Sequence, residues 1–190
     1  MEMIRSVNGK TPRIAPSAFV SEAAYVVGDV EIGENASIWP GAVIRADFGS
    51  IRIGAETAVE DNCVIHSGSP SSACGDVVIG NRVIIGHGAV LNGRRIGDNV
   101  LIGMNAIILH DVEIGSACII AAGTLVEQGK IIPERSFVFG SPGQIGGEPT
   151  EKQLWWVFEG YKGYLELAEQ YKRGGLGVAT GHPGETSLPK

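Results

Sequence analysis

The chain has 190 residues, a formal charge of −6 and a pI near 5.2. That acidic balance argues against nucleic acid or anionic membrane as a main partner, since both attract basic surfaces, and no stretch approaches the roughly 20 apolar residues of a membrane span. The first residues, MEMIRSVNGKTPRIAP, lack the apolar core of a signal peptide, so a cytoplasmic home is expected.

The earliest regular feature is a repeat of six. Ile32, Ile38 and Ile44 are six apart, as are Ile53, Val59 and Ile65, and then Ile79, Ile85 and Leu91. A five-residue step leads to Ile96, after which sixes resume through Ile102, Ile108, Ile114, Ile120, Val126 and Ile132. Glycine often follows the aliphatic residue, as at Gly33, Gly54, Gly80, Gly86, Gly97, Gly103 and Gly115. Four places after it the side chain is usually small: Ala36, Ala42, Thr57, Cys63, Ala89, Ala106, Cys118 and Thr124. A period of six fits neither a helix nor a long strand. It fits a hexapeptide β-helix, in which three six-residue sides make a triangular coil of about 18 residues. The aliphatic residues point inward, and the small residues let the chain turn the corners. Coils stack at the strand spacing of about 4.8 Å. The predicted coils are 32–49, 53–70, 79–95, 96–113 and 114–131, with partial turns on either side, inside a β-helical domain over 1–148.

The period breaks at Ser67 to Asp76. SGSPSSACGD is polar and bears Gly and Pro, so it reads as a loop thrown out from a corner. Either it is a tolerated insertion or it is a flap over a site; position alone does not choose. Beyond the prism, Thr150 and Gln153 form a capping box. Leu154, Phe158, Tyr161, Leu165 and Ala168 lie on one helical stripe, predicting a helix over 149–173 that packs on the prism or a neighbour. The tail from Gly174 to Lys190 is expected to be disordered, with His182 idle in it. Cys63, Cys74 and Cys118 show no metal or disulfide spacing and read as reduced thiols. Cys74 has no basic residue near it in sequence to make it a nucleophile.

Phase gives each polar residue an address. His66 directly follows Ile65, and Asn92 directly follows Leu91, the equivalent aliphatic one coil on. They should stand one above the other on one outer face, with Arg45, which follows Ile44, one coil below. His87 lies two places after Ile85, near a corner of the preceding side, and should not reach His66 within one subunit. Across a threefold trimer, that corner can meet a neighbour's column. Geometry therefore permits an intersubunit metal site, because a catalytic zinc needs three protein ligands and an open position for water. It equally permits ordinary surface or interface histidines.

The segments IRADFGSIRIGAETAVEDNCVIH, IGHGAVLNG, IGDNVLIGMNAIIL and GSPGQI resemble the γ-class carbonic anhydrases and their homologues, over about residues 10 to 172. The resemblance implies a left-handed parallel β-helix forming a homotrimer with metal sites between subunits. In active members of that family three histidines bind zinc, or iron or cobalt, and activate water for attack on carbon dioxide to give bicarbonate. Carried across, His66 matches the first ligand and His87 the ligand donated by the neighbouring subunit. Asn92 stands at the third position, where the family has histidine. Arg45 and Asp47 match an Arg-x-Asp whose arginine tends to form an intersubunit ion pair. Asp61 matches an aspartate near the metal water, and Glu60 replaces the usual glutamine. An amide oxygen is a weaker zinc ligand than imidazole, so metal affinity and activity are expected to fall. His110, 18 residues after Asn92, is a substitute ligand only if the five-residue step allows it. The loop offers a proton relay only through Asp76. Two other functions compete. One is acyl or CoA-thioester chemistry with His87 as base, the other a non-catalytic structural trimer docking through its aromatic helix.

Overall fold

The computed structural model describes residues 3–68 and 75–178. Cys74, most of the expected flap, and His182 lie outside the described residues.

The chain winds into a left-handed parallel β-helix of about 7 turns. Strands of mostly two residues pair in parallel with the strand one coil away. Val64–His66, for example, sits between Val43–Ile53 and Val90–Leu91, with Val43 opposite Val64 and Val64 opposite Val90. The sixteen aliphatics of the six-residue repeat all point inward, and none is more than 5% exposed. Each contributes roughly 1.5–3 kcal/mol on burial, and together they form one continuous core. The five-residue step before Ile96 does not disturb the ladder, since Ile96 still pairs with Ile79 and Ile114.

The corners are built differently from the sequence expectation. The small residues at these positions are fully buried, but the residue before each one makes the turn. Asn35, Glu56, Asn62, Arg82, Asn99, Asn105, Ala117 and Arg135 all take φ between 52° and 59°. Glu56, Arg82, Ala117 and Arg135 are poor left-handed formers, so no local signal marks those turns. Glycine after the aliphatic residue serves close approach rather than φ. A Cβ on Gly54 would sit 2.4 Å from the Gly80 carbonyl oxygen of the next coil.

Three faces result, and their outward residues differ. The first face carries Tyr25, Val43, Val64, Val90, Ile107 and Leu125 in register, one tyrosine and five aliphatics that no described element covers. The second carries Glu31, Arg52, Val78, Arg95, Glu113 and Ile131, with ion pairs such as Arg13–Glu31 and Arg94–Glu113. The third carries Phe19, Ser37, Ala58, Ile84, Leu101, Ile119 and Phe137. Two consecutive helices cover this third face.

Helix α1 (Glu151–Phe158) starts at Thr150, whose capping box with Gln153 is formed on both sides. Helix α2 (Gly160–Arg173) follows after a break at Glu159. The single expected helix is thus two, and its buried stripe is shifted. Val157 rather than Phe158 packs on Ala117 and Ile119, while Phe158 is 41% exposed. Ala168, with Tyr164 and Tyr171, packs on Phe19 and Trp39 at the opposite end of the prism. Residues 174–178 do not continue into a loose tail. The Gly177 N–H donates to Glu22 and the Val178 N–H to the Val20 carbonyl, laying the segment along the first coil.

Candidate metal centre

Two polar clusters flank the bare first face, one at each of its edges. The first follows the strands Val43–Ile53, Val64–His66 and Val90–Leu91, where the chain leaves this face. Arg45 pairs directly with His66 in the ladder, and Asn92 is the next rung, as the phase predicts. His66 Nε2 lies 2.9 Å from Asp47 Oδ1, and Asp47 also contacts the Arg45 guanidinium. Asn92 Nδ2 donates to the His66 carbonyl at 3.1 Å and lies 3.5 Å from His66 Nδ1. Phe48 stacks edge-on against the imidazole with centroids 5.8 Å apart. Burial alone would raise the Asp47 carboxyl, but hydrogen bonds from His66 and Arg45 and the Arg45 charge outweigh it and hold the group below its ordinary value. The arginine of Arg-x-Asp therefore has a partner within its own chain.

The second cluster lies where the third face turns into the first. His87 sits between Ile84–Ile85 and Val90–Leu91, in the coil above Glu60 and Asp61. Its Nε2 is 2.8 Å from Glu60 Oε2 and its Nδ1 is 2.9 Å from Asp61 Oδ2. The His87 backbone N–H also donates to Glu60 Oε2 at 3.0 Å. Glu60 is 4% exposed and receives a further hydrogen bond on Oε1 from the Tyr164 hydroxyl of α2. Burial, then the hydrogen bond to Glu60 and that carboxylate's charge, push the Tyr164 hydroxyl well above its usual range. Below it Cys63 donates to the Gly86 carbonyl, and burial pushes its thiol up to about 12, so it is an inert filler at a corner.

Tyr164 is the member of this cluster that the sequence does not reveal. It lies 104 positions from Glu60, and nothing local marks it. His110 lines a narrow cleft with Asn92, Arg94, Asp111 and Asp76, beside the base of the loop. Asp76 itself is tied to Ser50, accepting from its N–H and its hydroxyl at 2.8 Å each.

No hydrogen bond joins His66 to His87 among the described residues, and within one chain no three His, Cys, Asp or Glu side chains there converge on a common point. The clusters occupy opposite edges of one face. A threefold arrangement of copies would set one such edge against the opposite edge of the next. The donor types suit a divalent transition metal: His66 is backed by Asp47 on one ring nitrogen and has the Asn92 carboxamide beside the other, while both ring nitrogens of His87 face carboxylates, so Asp61 would have to leave Nδ1 for that ring to bind.

A sequence profile described as "Bacterial transferase hexapeptide (six repeats)" matches residues 95–128. The chain is 44% identical over 158 residues to a probable carbonic anhydrase of Methanocaldococcus jannaschii, covering 82% of this chain and 96% of that protein. It is 33% identical over 169 residues to the mitochondrial γ carbonic anhydrase 2 of Arabidopsis thaliana, covering 87% of this chain but only 60% of the relative. A crystal structure of a putative acetyltransferase from Bacillus cereus superposes with a TM-score of 0.84 at 36% identity, covering 90% of this chain and 97% of that one. No described helix is long and apolar enough to cross a membrane. With 44% identity across nearly the whole of the archaeal protein, the chain belongs to the γ-class carbonic anhydrase-like family of hexapeptide-repeat proteins.

Proposed function

We propose that this protein is a γ-carbonic-anhydrase-like homotrimer that hydrates carbon dioxide reversibly at metal sites between its subunits. The observation that carries the reading is the bare aliphatic face with a histidine cluster at each edge. Six outward apolar residues stacked in register need a partner, and the partner that pairs the two edges is a second copy. His66 and Asn92 of one subunit, with His87 of the partner subunit, would hold zinc, iron or cobalt. A metal held there would supply a water activated for attack at neutral pH.

The chain's own residues have separable roles around that centre. Arg45 holds Asp47, and Asp47 orients His66 from its Nε2 side. Glu60 fixes the ring and backbone of His87 from below, while Asp61 flanks Nδ1 and is open to solvent for a proton. Asn92 commits its amide N–H to the His66 carbonyl, which turns its oxygen into the group available to a metal. Its weak donor lowers affinity relative to a three-imidazole set, and turnover falls with occupancy. Light scattering together with metal analysis and stopped-flow hydration tests the whole. A trimer carrying bound divalent metal, with a rate above buffer, is expected; a monomer, or a metal-free protein with no rate, rejects it.

A second reading is acyl transfer from a CoA thioester. It is favoured by the Asp47–His66 pair, in which a carboxylate holds an imidazole as it would a general base. Thermal stabilisation by CoA esters with transfer to an amine, and no hydration rate, would establish it over the first.

A further inference from the structure

The buried carboxylate of Glu60 is over-determined. Three donor positions surround it: the Tyr164 hydroxyl on Oε1, and the backbone N–H and ring Nε2 of His87 on Oε2. The backbone N–H donates whatever the tautomer of the imidazole, and the hydroxyl donates because the ionised Glu60 only accepts. An amide there would have to turn its NH2 toward the hydroxyl, which can also accept, and its oxygen toward the backbone N–H; the carboxylate instead accepts on both sides and adds its charge to both contacts. Glu60 and Tyr164 together form a bridge from α2 to the histidine.

That bridge is built from rigid parts. Tyr164 packs on Trp39, with centroids 6.4 Å apart, and Trp39 is 4% exposed between Phe19, Tyr164 and Tyr171. Glu60 directly follows the inward Val59, and its N–H is tied to the Ile85 carbonyl in the coil that carries His87. The imidazole itself is half exposed, at 53% for its side chain. An exposed ring at a corner ordinarily samples several rotamers. Here one edge is gripped by a carboxylate that cannot move without breaking the tyrosine contact.

We propose that Tyr164 is a positioning residue, acting through Glu60 to fix the ring orientation of His87 at the subunit seam. The inference rests on the metal reading only for its consequence, not for the geometry. Outer-shell partners of ligating histidines typically change metal affinity 10–100-fold, and Tyr164 is such a partner at one further remove. Helix α2 thereby links the covered third face to the site on the bare first one.

The test uses the full-length protein and Co2+ as the probe. Tyr164→Phe keeps the ring packing and removes one hydroxyl. The His87 ring nitrogen resonances, observed by 15N NMR, should shift in that variant, and Co2+ affinity should fall about tenfold. Glu60→Ala should do the same, and the double variant should lose nothing further, since both break one bridge. Tyr171→Phe, which touches Trp39 from the same helix, should leave the His87 resonances in place and so excludes mere loosening of α2. Wild-type His87 resonances in Tyr164→Phe, or losses that simply add in the double variant, overturn the proposal. If the wild type takes up no Co2+ while the His87 shift appears, the positioning role stands and the metal reading is the one that fails.

Discussion

The first and third faces of the prism are the same structure on the inside and opposites on the outside. Both present one Ile, Val or Leu per coil to the core, and both stack their strands in parallel register. Outside, the third face is sealed by α1 and α2, so Ile84 and Ile119 are 3% and 5% exposed. No element among the described residues covers the first face, and Val64 and Ile107 stand 36% and 40% exposed. The repeat decides the fold, but what covers each outer ladder decides where chemistry can be built. A ladder covered by the chain's own helices is finished. An open ladder leaves room for a second copy, which in the proposed trimer would bring two chain edges together, and the histidines are on those edges.

The comparison can be broken most directly by charging the bare ladder. Ile107→Glu buries a carboxylate in an interface if one forms there, and exposes it harmlessly if none does. The expected outcome is loss of the trimer by light scattering with the β circular dichroism retained; a variant that stays trimeric puts the interface elsewhere. The inner and outer sides of one strand give the next largest effect. Ile65→Ala should cost about 2–5 kcal/mol of stability in urea unfolding, whereas Val64→Ala, its outward neighbour, should change the unfolding free energy of the dissociated monomer by about 0.5 kcal/mol. Equal losses would mean the first face is core-like even before assembly.

Sharpening the two edges comes third. Asn92→His restores an imidazole beside His66 and should raise Co2+ affinity at least about tenfold, read by competition with a chromophoric chelator. Hydration rate should rise with it, and an unchanged affinity would show that the amide is not what limits the site. The smallest effect is expected at the base of the loop. The Ser50 N–H and hydroxyl, against a smaller effect of burial, hold the Asp76 carboxyl below its ordinary 3.8. A lowered folded value means the stabilisation is complete above the unfolded value and is lost as pH falls through the folded one. The difference in urea midpoint between wild type and Asp76→Asn should therefore be constant near neutrality and shrink once the pH drops under about 4. A difference that grows on acidification would contradict the assignment.

What could be read in the residues follows from where the periodic signal resides. A strict inward repeat transmits phase along the chain, so the stacking of Arg45, His66 and Asn92, and the separate corner of His87, were legible from spacing alone. Asp47 sits past the last paired rung, where the strand Val43–Ile53 bends from one face to the next, and its contact with His66 depends on that bend. Glu60 looks like one of two adjacent acids in sequence, yet it is buried and Asp61 is not, because only Glu60 lies under the helix. The corner conformations of Glu56, Arg82 and Arg135 were invisible for a different reason: the stacked coils impose them against local preference. The helical stripe was displaced because the break at Glu159 resets the rotation between Val157 and Tyr161.

Stacks of repeats usually fray from their termini, since a terminal unit has one neighbour instead of two. In this protein Val157 grips a late coil at Ile119, Ala168 grips an early one at Phe19, and residues 177–178 clasp Val20 and Glu22. The chain thus ties its end back over its beginning like a splint. Peeling either extremity means lifting the same splint, so the two extremities should come undone together in hydrogen exchange, converting a one-dimensional zipper into a single cooperative unit.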